Sequence, residues 1–240
     1  MLHTFTVVVN FLALAASVWL GIYLISHNLR SLVAWLTGLT LWSVAGLFLN
    51  VSLALNPPPA PPEMNIWLRM VLPFWTLGIM QGEATGWLQG WAVAPAIGLW
   101  HHATTILLPG RMSPLRWLRV LAGYAVALGA IIVQWYTLIV FPLEGGDPLY
   151  LNTLQSGQFY PIFAFSILAI TSISLINLIQ TKRSASDFIT GKQMGVLIKG
   201  TLAAGLIGPL AIIGTALGYP VPIVSVSLAL GMAVVVIGYG

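Results

Sequence analysis

Long apolar runs alternate with short polar breaks along this chain. The first run, Thr4 to Ile25, is long enough to cross a bilayer as a helix, which takes about 20 residues. Asn10 and Ser17 are isolated polar groups within it, and His27, Asn28 and Arg30 close it. The second run, Leu32 to Leu55, carries Trp35 and Trp42. It ends in Asn56-Pro57-Pro58-Pro59-Ala60-Pro61-Pro62, a stiff, extended segment that no helix continues through. Further runs follow at 91–109, 115–141, 159–179, 194–217 and 220–239. A Gly/Pro-rich turn at 142–148, a polar loop from Lys182 to Lys192 and a tight Gly218-Tyr219-Pro220 turn separate the later ones. Trp117 and the Trp135-Tyr136 pair mark the two ends of the fourth run, as interfacial aromatics do.

Met64 to Gln81 reads two ways. It is apolar, but it carries Arg69 and Pro73, so it suits either a crossing or a helix lying in the interface. Charge decides between them. With seven crossings, one set of alternate connections holds Arg30, then Arg111, Arg116 and Arg119, then Lys182, Arg183 and Lys192. The other set holds Glu63, then Glu144 and Asp147. Basic connections stay in the cytoplasm. An eighth crossing at 64–81 would put the arginine cluster on the opposite side from Arg30. The expected fold is therefore an all-α integral membrane protein: one domain over residues 1–240, seven transmembrane helices, N-terminus outside, C-terminus cytoplasmic, and an interfacial segment at 64–81 before the third span.

Small residues recur at every fourth position of one stretch: Gly78, Gly82, Gly86, Gly90, Ala94 and Gly98, with one more step reaching His102 beside His101. Residues four apart share a helix face, and a row of small residues lets another backbone approach closely. The row predicts a helix–helix seam, with Pro95 as the place for a bend. The seven-span layout places Trp100, His101 and His102 near the bilayer midplane, and puts Lys199 about two turns into the sixth span, from where it snorkels to the cytoplasmic edge.

Composition agrees with a lipid environment: 58% of the 240 residues are hydrophobic and 6% charged, against about 25% charged in ordinary soluble domains. The net charge of +4 is spread without a basic run, so nucleic-acid binding is not indicated. The absence of cysteine removes disulfides, thiolate zinc sites and iron–sulfur clusters. The first run lacks a basic lead-in and a small-residue cleavage site, so it reads as a retained helix.

An ionisable residue inside a membrane is a functional candidate by default. Gly98 and His102 share a face, and Gly-x-x-x-His is an arrangement that seats a flat macrocycle, the imidazole ligating and the glycine making room. His102, His101 and Gly98 are thus the candidate cofactor residues, for a chlorophyll-type pigment or a lipid or quinone. The plainer reading is a hydrogen bond to a neighbouring helix, to Gln134 or a serine. His101 and His102 point about 100° apart and cannot serve one site equally. A bis-histidine haem has no second midplane histidine, since His3 and His27 lie near the surfaces, and a retinal Schiff base has no suitable lysine. Ser225 and Ser227 lie in no nucleophile elbow. The acidic residues are too scattered for a metal site, and Glu83 reads as a solvated interfacial carboxylate. No internal repeat points to a transporter. No catalytic residue is expected.

Three stretches resemble the seven-helix region at the N-terminus of some bacterial sensor histidine kinases. They are Ala94-Pro95-Ala96-Ile97-Gly98-Leu99-Trp100-His101, Asp147-Pro148-Leu149-Tyr150, and the segment from Lys182 through Gly200-Thr201-Leu202 followed by Leu217-Gly218-Tyr219-Pro220-Val221-Pro222. The resemblance implies an input module without catalysis of its own. The family's phosphoacceptor histidine, ATP lid and coiled-coil linker are not found in these 240 residues, so the word kinase does not carry over. Two functions are expected: an accessory or assembly subunit of a larger membrane complex, photosynthetic or respiratory, or a sensory input domain. Its partners would be membrane lipid and other membrane subunits, and its location the inner (plasma) membrane, crossed several times.

Overall fold

In the computed structural model, residues 2–55, 85–140, 159–185, 188 and 190–202 are described, and every regular element among them is helical. We label the helices α1 (Leu2–His27), α2 (Leu32–Leu55), α3 (Thr85–Ile106), α4 (Pro114–Val140), α5 (Phe159–Arg183) and α6 (190–202). Among the described residues, two stretches, Val7–His27 and Phe165–Arg183, are long and apolar enough to cross a membrane. They correspond to two of the seven crossings expected. Polar residues dilute α3 (Gln89, His101, His102, Thr104, Thr105), and α4 opens on Arg116 and Arg119. The seventh predicted crossing, most of the sixth, and the interfacial segment at 64–81 lie outside the described residues.

The helix ends follow from local chemistry. Ser31 and Ser113 cap α2 and α4: their hydroxyls accept from the Ala34 and Arg116 amides at 3.3 Å each, and Pro114 suits the first turn because it has no amide to leave unpaired. The Trp35 indole donates to the Leu29 carbonyl at 2.9 Å and pins the α1–α2 turn. The third helix starts at Thr85, six residues before the predicted Trp91, and stops at Ile106, before Pro109 and a left-handed Gly110 with φ of 94°. Arg116 then reaches back from α4. Its guanidinium donates to the carbonyls of Leu108, Gly110 and Pro109, the last at 2.7 Å, and so holds the α3–α4 connection. The fifth helix runs to Arg183, four residues past the predicted end, because Lys182 and Arg183 suit the negative end of a helix dipole.

Packing centres on α3. It contacts α2, α4 and α5, while α1 is packed on α2. The α1–α2 core is Ala13, Leu20, Leu41 and Phe48, and Asn10 and Ser17 are fully buried on the same face of α1. Here the backbones meet at a glycine pair. A Cβ at Gly21 would stand 3.1 Å from the Gly38 carbonyl oxygen, and one at Gly38 would stand 3.1 Å from the Gly21 carbonyl oxygen. A second core joins Leu178 of α5 to Met194 and Leu197 of α6, with Trp100 of α3 and Leu107 just past its end against them.

Side-chain pairings fix direction. His101, Thr105 and Leu107 meet Ser174, Asn177 and Thr181 in ascending order, so α3 and α5 are parallel. Gly98 lies against Tyr124 and Ala127 while Arg116 meets Leu108, so α4 runs antiparallel to α3. The ends of α3 and α5 and the starts of α4 and α6 therefore share one end of the bundle. Arg111, Arg116, Arg119, Lys182, Arg183 and Lys192 collect there. Among the described residues every formally charged side chain is basic; the sequence adds one acid, Asp187, in the α5–α6 connection.

Candidate functional site

The two histidines leave α3 in different directions, as adjacent positions on a helix must. His101 is fully buried between α4 and α5. Its Nδ1 lies 3.0 Å from Ser174 Oγ. That hydroxyl donates its one proton to the Ile170 carbonyl at 2.9 Å, so towards the imidazole it accepts, and Nδ1 carries the hydrogen. The other face of the ring rests on α4. A Cβ placed on Gly123 would stand 2.7 Å from His101 Cδ2, so only glycine leaves room for the imidazole there.

His102 faces α4. Its Nδ1 is 3.0 Å from the Tyr124 hydroxyl, the Tyr124 ring stands edge-on to it at 82°, and the Trp117 ring centre is 5.7 Å away. The glycine expected to share its face does so: Gly98 lies against the Tyr124 ring, where a Cβ would come within 3.0 Å of Cδ1. The Tyr124 ring lies in the Gly98–His102 notch. Both Nε2 atoms are buried with no hydrogen-bond partner among the described residues.

A polar ladder runs from these histidines to the end of the bundle. Thr104 and Thr105 donate to the His101 carbonyl at 3.0 and 2.7 Å. Asn177 donates to Thr105 Oγ1 at 3.2 Å, and Thr181 Oγ1 lies 3.1 Å from the Leu107 carbonyl, which ties the end of α3 to α5. The Trp100 indole donates to Thr201 Oγ1 of α6 at 3.1 Å. These hydrogen bonds hold α4, α5 and α6 to α3 where the contacting surfaces offer little else that is directional.

Of the expected residues, Gly98, His101 and His102 come together on the α3–α4 side. Gly86, Gly90 and Ala94 lie within α3, and Gly78, Gly82, Glu83, Ser225 and Ser227 lie outside the described residues, as does the Gln134 side chain. The histidines are not central in their helix. His101 is about 24 Å of helix rise from Thr85 and about 8 Å from Ile106, so the pair lies towards the basic end of α3. The partners Ser174, Asn177 and Tyr124 escaped the sequence reading. Their signal is a stripe: Ser174, Asn177 and Thr181 sit three and four apart on one face of an apolar helix. Among the described residues no group of three or more histidines and acids gathers as a metal site. Comparison with protein-family models, curated proteins and solved structures gives no match to this chain.

Proposed function

We propose that the chain is a non-catalytic, multi-pass module of the inner membrane, acting as an accessory or assembly subunit of a larger membrane complex. The observation that carries this reading is an inversion of polarity. Ser17, His101, Thr104, Thr105, Ser174 and Asn177 are buried between helices, while Phe11, Leu12, Trp19, Leu118, Leu121, Leu128 and Phe165 are half or more exposed. Water-soluble monomers rarely expose apolar faces of that extent; lipid and neighbouring membrane helices accept them. Each histidine directs Nδ1 to a neighbouring helix, which supports a tying role over a catalytic one. The cations gathered at one end of α3 to α6 suit the cytoplasmic face, and with seven crossings this sets the N-terminus outside.

The second reading is a sensory input module of the kind the sequence resembles. The parallel ladder from His101 to Thr181 favours it, because it connects a buried imidazole to the basic end, where a signal would leave the bundle. Native mass spectrometry of the protein gently extracted from its own membranes separates the two. The subunit reading expects a mass well above 25.8 kDa, made up of different chains. A single longer polypeptide carrying these 240 residues would replace it with the sensor reading.

A further inference from the structure

The outer face of α6 is built differently from the other helix faces. Phe188, Lys192, Gly195, Lys199 and Leu202 follow at intervals of four, three, four and three, and so lie along one face. Phe188 is 85% exposed and Leu202 37% exposed, and both lysines are exposed as well. Gly195 leaves a notch midway between the lysines. The notch is bordered by a third cation from another helix: Lys182 Nζ of α5 would stand 3.4 Å from a Cβ on Gly195. None of the three lysines has an ion pair or a hydrogen bond among the described residues. Cations on one surface without an acidic partner among the described residues favour an anion between them.

We infer that Lys182, Lys192 and Lys199 around Gly195 form a binding site for the phosphate of an anionic phospholipid. This inference rests on the membrane reading above. Depth favours a lipid over free phosphate. Lys182 and Lys192 stand at the basic end, and Lys199 is about 10 Å further along α6, level with the Trp100–Thr201 pair and among Ile198 and Leu202. A cation on an apolar helix face turns its ammonium towards the headgroup layer and lays its stem along the acyl region. Lys182 borders the Gly195 notch, and Lys192 and Lys199 flank it along the same face of α6, so a phosphate at the notch is within reach of flexible stems from either side, with the apolar surface of α6 left for a chain. Asp187 is the one acid that the sequence places nearby, and it leaves the set net positive.

The test uses the full chain in nanodiscs of equimolar phosphatidylglycerol and phosphatidylcholine, with retained lipids counted by native mass spectrometry. Retention of the chain by carbonate-washed membranes is measured first; its failure would refute the membrane reading itself. The wild type is expected to retain phosphatidylglycerol preferentially, each Lys→Gln change among Lys182, Lys192 and Lys199 lowering that preference about fivefold. Gly195→Leu, which displaces the Lys182 ammonium without changing charge, is expected to lower it too. Arg30→Gln, Arg111→Gln and Arg119→Gln together remove as much charge elsewhere and are expected to leave it unchanged. The inference is overturned if the wild type shows no preference, if the triple lysine variant keeps it, or if the arginine control loses as much. Displacement of the bound lipid by millimolar inorganic phosphate would overturn the lipid assignment and leave a free-phosphate site.

Discussion

His101 shows how one side chain holds three helices. It starts on α3, takes its Nδ1 hydrogen bond from α5 and lays its ring on the bare backbone of α4 at Gly123. Gly123→Ala forces its Cβ to within 2.7 Å of the imidazole, and the ring, enclosed on all sides, has nowhere cheap to go. Overpacking of this kind costs about 1–3 kcal/mol. We expect a lower midpoint of thermal unfolding in detergent, with Gly129→Ala as the mild comparison, since nothing lies within 4 Å of a Cβ there. The hydrogen bond itself is measured by a double-mutant cycle of Ser174→Ala and His101→Phe. Interhelical hydrogen bonds in membrane proteins contribute about 0.6–2 kcal/mol, and a coupling near zero would mean that ring packing alone makes the contact.

At the level of helices, close approach and polar ties divide the work. The α1–α2 pair has glycines at its crossing and an apolar core on either side. The α3–α5 pair has instead a ladder of serine, threonine and asparagine. In lipid this division is physical: apolar helices gain nothing by hiding from apolar solvent, so contact is favoured only where backbones come close or polar groups pair. Gly21→Leu therefore prises α1 from α2, because even its Cβ would fall 2.5 Å from the Trp42 indole nitrogen. The expected result is protease cleavage in the Asn28–Ser31 turn at a rate well above wild type, while the α3–α5 contact, reported by hydrogen exchange at Thr105, stays protected. Loss of protection at both places would show that the bundle unfolds as one unit.

For the molecule in its membrane, orientation is the open question, and the absence of cysteine makes it easy to address. Single cysteines at Asn28, Ser113 and Ser184, all exposed in helix connections, have no background from native thiols. A membrane-impermeant maleimide is expected to label Ser113→Cys and Ser184→Cys from the cytoplasmic side only, since the structure puts both at the basic end. Asn28→Cys is expected to label from that side too if the seven-span layout holds; labelling from the opposite side would add or remove one crossing between α2 and α3. Helix α1 was legible to within two residues at each end, because an apolar run bounded by His27, Asn28 and Arg30 has no other use. The glycine row drew attention to α3, the helix on which the described bundle is centred, and to Gly98 and His102 as neighbours of one surface.

The partners of that surface were not legible. Hydrophobicity along the chain states which stretches become helices, because backbone amides in an apolar medium must pair within the segment. It does not state which sides of those helices meet, since lipid and a neighbouring helix select the same residue types. Only folding put Tyr124 in the Gly98–His102 notch, Gly123 beneath His101 and Lys182 against Gly195. These contacts join consecutive helices, but they depend on where those helices cross, and crossing points are decided by shape and by a few hydrogen bonds. The chain's order of residues thus specified apolar helices and the sign of the charges in their connections. The tertiary structure decided that the histidines tie helices together towards the basic end, and that three lysines from two helices surround one glycine.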